Sequence, residues 1–156
     1  MLETVSGGFA LIDTLNNSSE VEQCTIPALE SLGLSDAKPQ EGVLISHGHG
    51  DHDGGADALR APFGPSLPIY IGSGDAAGKT CGLKLVNTET TDIQEASIGG
   101  TTIYAQPTPE HTSGNLVGFV PVETEGERQL LLLKGHSAVP RNLETALQYL
   151  AGTELQ

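Results

Sequence analysis

The stretch Ser46-His47-Gly48-His49-Gly50-Asp51-His52-Asp53-Gly54-Gly55 decides how this chain is read. It follows directly on Val43-Leu44-Ile45, a compact apolar run that predicts a buried strand. Three histidines and an aspartate therefore leave one strand end within a few positions of one another. Zinc takes imidazole nitrogen and carboxylate oxygen as ligands, and a catalytic zinc keeps one position open for water. Ligands from so short a loop converge only if its backbone turns tightly, which Gly48 and Gly50 permit. A lone histidine is ordinarily a surface residue or a satisfied core residue, and this density is neither. His47, His49, Asp51 and His52 are accordingly candidate metal ligands.

Two further histidines lie at comparable places. Pro107-Thr-Pro-Glu-His111-Thr-Ser-Gly-Asn115 puts His111 in a loop between predicted strands, where it supplies a third imidazole for one metal. Leu133-Lys134-Gly135-His136-Ser137 follows another apolar run, and His136 is either a ligand or a solvated side chain. Together these positions use all five histidines of the chain.

Around these loops, apolar strands and helices alternate, which is an α/β pattern. Phe9 to Asp13 reads as a short buried strand. Ser19 with Glu22 reads as a capping box for a helix over 20–32, whose face carries Val21, Cys24, Ala28, Leu29 and Leu32. Pro27 kinks or restarts that helix, and Gly33 caps its end. Cys24, on the apolar stripe, is expected to be a buried thiol. A short helix carries Ala56, Ala58 and Leu59, Leu67 to Ile71 is a strand, and 72–82 is glycine-rich and irregular. Ile98 to Gln106 forms a strand pair or hairpin. Leu116 to Val122 and Gln129 to Leu133 are strands joined by a polar turn at 123–128. Pro140 starts a last helix with Leu143, Ala146, Leu147 and Leu150 on one face, ended by Gly152.

The bulk properties narrow the function. At 156 residues, the chain has the length of one domain, and 37% hydrophobic with 17% charged residues marks it as globular. A formal net charge of -13 with seven Lys and Arg disfavours a nucleic-acid partner. No apolar run approaches the ~20 residues of a membrane span. No secretory leader is visible, so the cytoplasm is the default compartment, with secretion of a processed form left open. Cys24 and Cys81 form no C-x-x-C, so neither a redox motif nor a cysteine zinc knuckle is indicated.

Taken in order, Leu11-Ile12-Asp13-Thr14, the H-x-H-x-D-H of 47–52 and Thr108-Pro109-Glu110-His111-Thr112-Ser113-Gly114 resemble the signatures of the metallo-β-lactamase superfamily of hydrolases. The resemblance covers roughly 8–152 and is nearest to the branch of histidine-rich β-lactamases. It implies a four-layer αββα sandwich with metals at one edge of its two sheets, incomplete here at the C-terminal end because family members continue past the last helix. It implies that His47, His49 and His111 bind a first zinc, and that Asp51 and His52 bind a second. Asp13 matches an acid that supports the metal loop. The family's bridging Gly-Asp pair is replaced by Gly135-His136. That replacement lowers the odds of a thioesterase or lactonase, and leaves His136 either completing an Asp51, His52, His136 set or merely lying nearby. Glu110 stands where the family carries Gly in a tight turn and is expected to strain the loop.

The activity implied is that of a zinc-dependent hydrolase with one or two Zn²⁺ per chain. Metal-bound hydroxide attacks a carbonyl of a small amide or ester, a β-lactam among the candidates, while Asp51 orients the water. Lys134 and Asn115 are read either as groups that hold a substrate carboxylate or oxyanion, or as a solvated lysine and a turn asparagine. The alternative is a non-catalytic metal-binding or scaffold domain derived from the same fold. An incomplete sandwich would expose apolar sheet, which a homodimer would cover.

Overall fold

The computed structural model describes residues 1–34, 39–79 and 82–136. Two sheets form. The first has the order β1 (Leu2–Glu3), β2 (Phe9–Ile12), β3 (Gln40–Leu44), β4 (Ile69–Gly72), β5 (Leu83–Val86). β1 and β2 are antiparallel, and β2 to β5 are parallel. The second is an antiparallel meander of β6 (Gln94–Ile98), β7 (Thr101–Pro107), β8 (Leu116–Thr124) and β9 (Glu127–Lys134).

Successive strand residues face opposite sides, and the apolar residues of the first sheet divide accordingly. Phe9, Leu11, Val43, Ile45, Ile69 and Ile71 pack on the helical side with Val21, Leu29 and Leu59. Ala10, Leu44 and Val86 pack between the sheets against Ala96, Ile98, Ile103, Leu116 and Val120. A third cluster of Tyr104, Val117 and Phe119 lies on the far face of the second sheet. Helix, sheet and sheet are thus three of the expected four layers. The last helix, expected from Pro140, lies outside the described residues, as does Cys81. No helix among the described residues is long and apolar enough to cross a membrane.

The hairpins follow their turn chemistry. Gly99-Gly100 joins β6 to β7 and Glu125-Gly126 joins β8 to β9, with positive φ at all four residues. That is the two-residue turn whose twist suits flanking strands. Strand β6 begins earlier than the hairpin reading placed it, and β5 arises in a region with no strand expected. Both lie on edges or beside turns, where apolar alternation is weakest.

The first helical region differs from its expectation in an instructive way. Its cap is Asn17, whose Oδ1 accepts from the Glu20 N–H at 3.0 Å, while Glu20 accepts from the Asn16 N–H at 3.2 Å. The capping box is therefore built two residues before Ser19 and Glu22. After α1 (Ser18–Glu20) the backbone widens into a π turn over Val21–Thr25, and α2 (Ile26–Ser31) restarts at Pro27. A π turn advances the buried face by five residues, so Val21 is followed inward by Ile26 and then Leu29. Cys24, Ala28 and Leu32 consequently face solvent, and Cys24 is an exposed free thiol rather than a buried one. Gly33, with φ 70°, closes α2 as a Schellman cap: Leu34 N–H donates to Leu29 O and Gly33 N–H to Glu30 O.

Candidate metal centre

Parallel strands present their carboxyl ends along one edge, the place where open α/β sheets gather ligands. Asp13 follows β2, Ser46 and His47 follow β3, and a turn over Ser73–Asp75 follows β4. Across the gap the second sheet contributes loop 108–115, between β7 and β8, and Gly135-His136 after β9. The sheets are joined at this edge by Leu116 N–H donating to Ser46 O at 2.7 Å.

His47, His49 and His111 meet there, with one donor atom from each lying within 4.8 Å of the others. Nε2 of His111 is 3.0 Å from Nδ1 of His49. Zn–N bonds of 2.0–2.1 Å in a tetrahedral site space their nitrogens about 3.4 Å apart, a spacing of the same order, so this donor set could hold one metal ion. His52 lies against His47, with ring centroids 4.0 Å apart. His136 stacks on His111 at 3.8 Å with ring planes 4° apart, which brings the fifth histidine to the same cluster. Asp51 stands at the rim: its side chain is 63% exposed, and Oδ2 is 3.5 Å from Nε2 of His52.

Asp13 organises the cluster from beneath. Oδ1 accepts from the Ser46 N–H at 2.7 Å, and Oδ2 accepts from Ser46 Oγ at 2.9 Å. The same Oδ2 is 2.8 Å from Nδ1 of His52, which leaves Nε2 as the ring nitrogen that could ligate a metal. Loop 13–16 also lies tightly on the metal loop. Thr14 N–H donates to His52 O at 2.7 Å, and a Cβ on Gly54 would lie 1.9 Å from Asn16 O. Gly54 is thus required by close approach.

Several secondary expectations are resolved. Asn115 is buried and donates from Nδ2 to Thr108 Oγ1 at 2.7 Å, closing its own loop instead of facing a substrate. Asp53 forms an ion pair with Lys79 at 2.6 Å. Glu110 is not among the described residues of positive φ, so its position does not demand glycine and the expected strain is absent. Asp75 and Lys79 were not anticipated, since an aspartate and a lysine in a glycine-rich stretch carry no pattern. Both reach Gly48, the residue between the first two histidines.

Burial, then the neighbouring His52, His111 and His49, lower the pKa of His47 to about 4, with Asp13 opposing. His111 is lowered in the same direction by desolvation and by His136, His49 and His52. His47 is therefore neutral and able to ligate at pH 7. In the metal-free protein the unfolded chain takes up a proton near pH 6.5 that the folded chain refuses until about pH 4. Stability contributed by this group is thus complete above pH 6.5 and falls progressively as pH drops toward 4. The expected loss is roughly 3 kcal/mol, and it should be reduced in a His47→Gln variant. Urea unfolding midpoints of both proteins across that pH window check it.

The sequence profile of the metallo-beta-lactamase superfamily matches residues 2–124, from β1 to the end of β8. A hydroxyacylglutathione hydrolase of Shewanella halifaxensis is 35% identical over 78 residues, half of this chain and 29% of that protein. Among solved structures, the Rm3 metallo-beta-lactamase superposes with a TM-score of 0.67 at 19% identity, covering 91% of this chain and 62% of the other. A subclass B3 metallo-beta-lactamase of Bradyrhizobium japonicum gives a TM-score of 0.64 at 17% identity, covering 97% and 66%. The chain thus spans under a third of that hydrolase and about two thirds of these structural neighbours. With the profile running through both sheets and the H-x-H-x-D-H loop, the chain belongs to the metallo-beta-lactamase superfamily.

Proposed function

We propose that this chain is a zinc-dependent hydrolase acting on a carbonyl of a small amide or ester, with β-lactams as the first class to test. The observation that carries the reading is the convergence of His47, His49 and His111 from two separate sheets into one compact donor group. These three residues would hold one Zn²⁺, and Asp51 and His52, with Oδ2 and Nε2 3.5 Å apart, would hold a second with His136 as a further candidate ligand. A zinc ion here supplies a Lewis acid and a water whose pKa is lowered to about 7. The chain's own contribution is positional. Asp13 keeps His52 in one tautomer, the buried His47 stays neutral, and the exposed Asp51 carboxylate faces the side from which water and substrate arrive.

The net charge of -13 supports a small molecule over a polyanion as substrate. A second reading, a metal-binding domain without turnover, is favoured by one observation. The compact donor group among the described residues contains three histidines only, and Asp51 remains largely in solvent.

One experiment separates the two. Zinc content per chain is measured by elemental analysis, and turnover of a chromogenic β-lactam and a chromogenic ester is followed with and without chelator. Bound zinc with chelator-sensitive turnover is the expected result. Bound zinc without turnover of either substrate would establish the binding domain, and no zinc uptake would end both readings.

A further inference from the structure

Asp75 lies in no recognised motif, and its carboxylate is engaged in a manner that its own turn does not require. The short helical turn Ser73–Asp75 closes through Ala76 N–H donating to Ser73 O, without using the Asp75 side chain. Instead, Oδ2 accepts from the Gly48 N–H at 2.7 Å and from Thr112 Oγ1 at 2.5 Å, and Oδ1 accepts from the Gly114 N–H at 2.9 Å. Gly48 sits between His47 and His49, while Thr112 and Gly114 follow His111 in its loop. One carboxylate therefore bridges both histidine loops, which belong to different sheets.

The packing around it leaves no slack. A Cβ on Gly48 would lie 2.7 Å from Cβ of Asp75, and one on Gly114 would lie 2.5 Å from its Cγ. A Cβ on Gly74 would meet the Ser113 backbone at 2.5 Å. Lys79 grips the same peptide region from its other side, donating from Nζ to Gly48 O at 2.9 Å while paired with Asp53. Segment 73–79 thus holds the Gly48 residue at both its N–H and its C=O.

We propose that Asp75 is a positioning residue of the metal centre: it sets the separation of His49 from His111 by tying their loops to one carboxylate. An aspartate suits the task because it offers two oxygens and accepts from three donors at once, whereas asparagine offers one oxygen. The proposal rests on the metal reading above for its consequence, since hydrogen-bond partners that orient ligands typically govern metal affinity by roughly 10–100-fold. It does not rest on that reading for its geometry.

The test uses Asp75→Ala and Asp75→Asn, the second retaining one acceptor and the shape of the side chain. In zinc-free protein, amide hydrogen exchange at Gly48 and Gly114 should accelerate in both variants, more in Asp75→Ala, while the paired strand amides of Tyr104 and Phe119 keep their protection. Zinc affinity should fall in the same order, by about 10–100-fold for Asp75→Ala. The visible bands of the Co²⁺-substituted protein should shift, reporting changed ligand geometry. Unchanged exchange at Gly48 and Gly114, or unchanged zinc affinity and cobalt spectrum, would overturn the proposal. So would an equal loss of protection at every amide, which marks a general stabilising role. If Asp75→Ala does not fold, Asp75→Asn decides by the same readouts. If the parent chain takes up no zinc, the metal reading fails, and the exchange at the two glycines still decides whether Asp75 ties the loops.

Discussion

Replacing His49 with alanine is expected to weaken zinc binding at the three-histidine site on the order of 100-fold and to remove hydrolysis with it. His49 is exposed and packs little apolar surface, so the fold should persist. Its Nδ1 lies 3.0 Å from His111 Nε2, and its loss leaves two imidazoles to hold the ion. Zinc bound by four ligands is worth roughly 10–16 kcal/mol, so each ligand carries about 3 kcal/mol and its loss costs on the order of 100-fold in affinity. Zinc titration against a competing chelator reads that change, and far-UV circular dichroism verifies the fold. Hydrolysis that survives His49→Ala in chelated buffer would sink the zinc mechanism altogether.

The Asp13 carboxylate should show the largest stability effect of the polar residues. Asp13→Ala leaves the Ser46 N–H, the Ser46 hydroxyl and His52 Nδ1 without their acceptor. Hydrogen bonds to a charged group contribute about 1.5–3 kcal/mol each, and with three removed a loss of about 4–5 kcal/mol is expected, the low end of their sum because the Asp13 side chain is 18% exposed. The backbone adds to it: Asp13 has φ 62°, a left-handed conformation that Asp and Asn tolerate better than Ala. Asp13→Asn separates stability from ligation. It keeps the backbone preference and one acceptor for Ser46, but presents an N–H₂ toward His52. Nδ1 of His52 then accepts, Nε2 carries the proton, and the ligating nitrogen is lost. The expected outcome is a modest drop in unfolding free energy, with selective loss of metal at the Asp51 and His52 side. Equal metal content in Asp13→Asn and the parent would remove His52 from the ligand set.

Much of the first sheet was legible because burial on both faces leaves near-continuous apolar runs, as in Phe9 to Ile12 and Val43 to Ile45. The hairpin between β8 and β9 was legible because a polar turn with Gly126 separates two apolar runs, whereas the Gly99-Gly100 turn fell inside a stretch read only as a strand pair or hairpin. The histidine loop was legible because its candidate ligands are local: His47, His49, Asp51 and His52 lie within six residues after β3. Helix phase was less secure. A 3.6-residue repeat was read through Val21, Cys24 and Ala28, but the π turn inserts an extra residue, which periodicity alone does not reveal, and the buried face passes to Ile26.

By itself, then, the sequence determined most of the strand-and-loop units and the histidine-rich loop, because each is encoded in contacts between near neighbours. The sequence also grouped His111 with His47 and His49, but only the tertiary structure decided that its Nε2 comes within 3.0 Å of His49 Nδ1, that His136 stacks on it, and that Asp75 ties both loops. These contacts exist because two sheets pack with their loop-bearing edges aligned. An isolated aspartate in a glycine-rich turn has no partner until that packing brings one within reach.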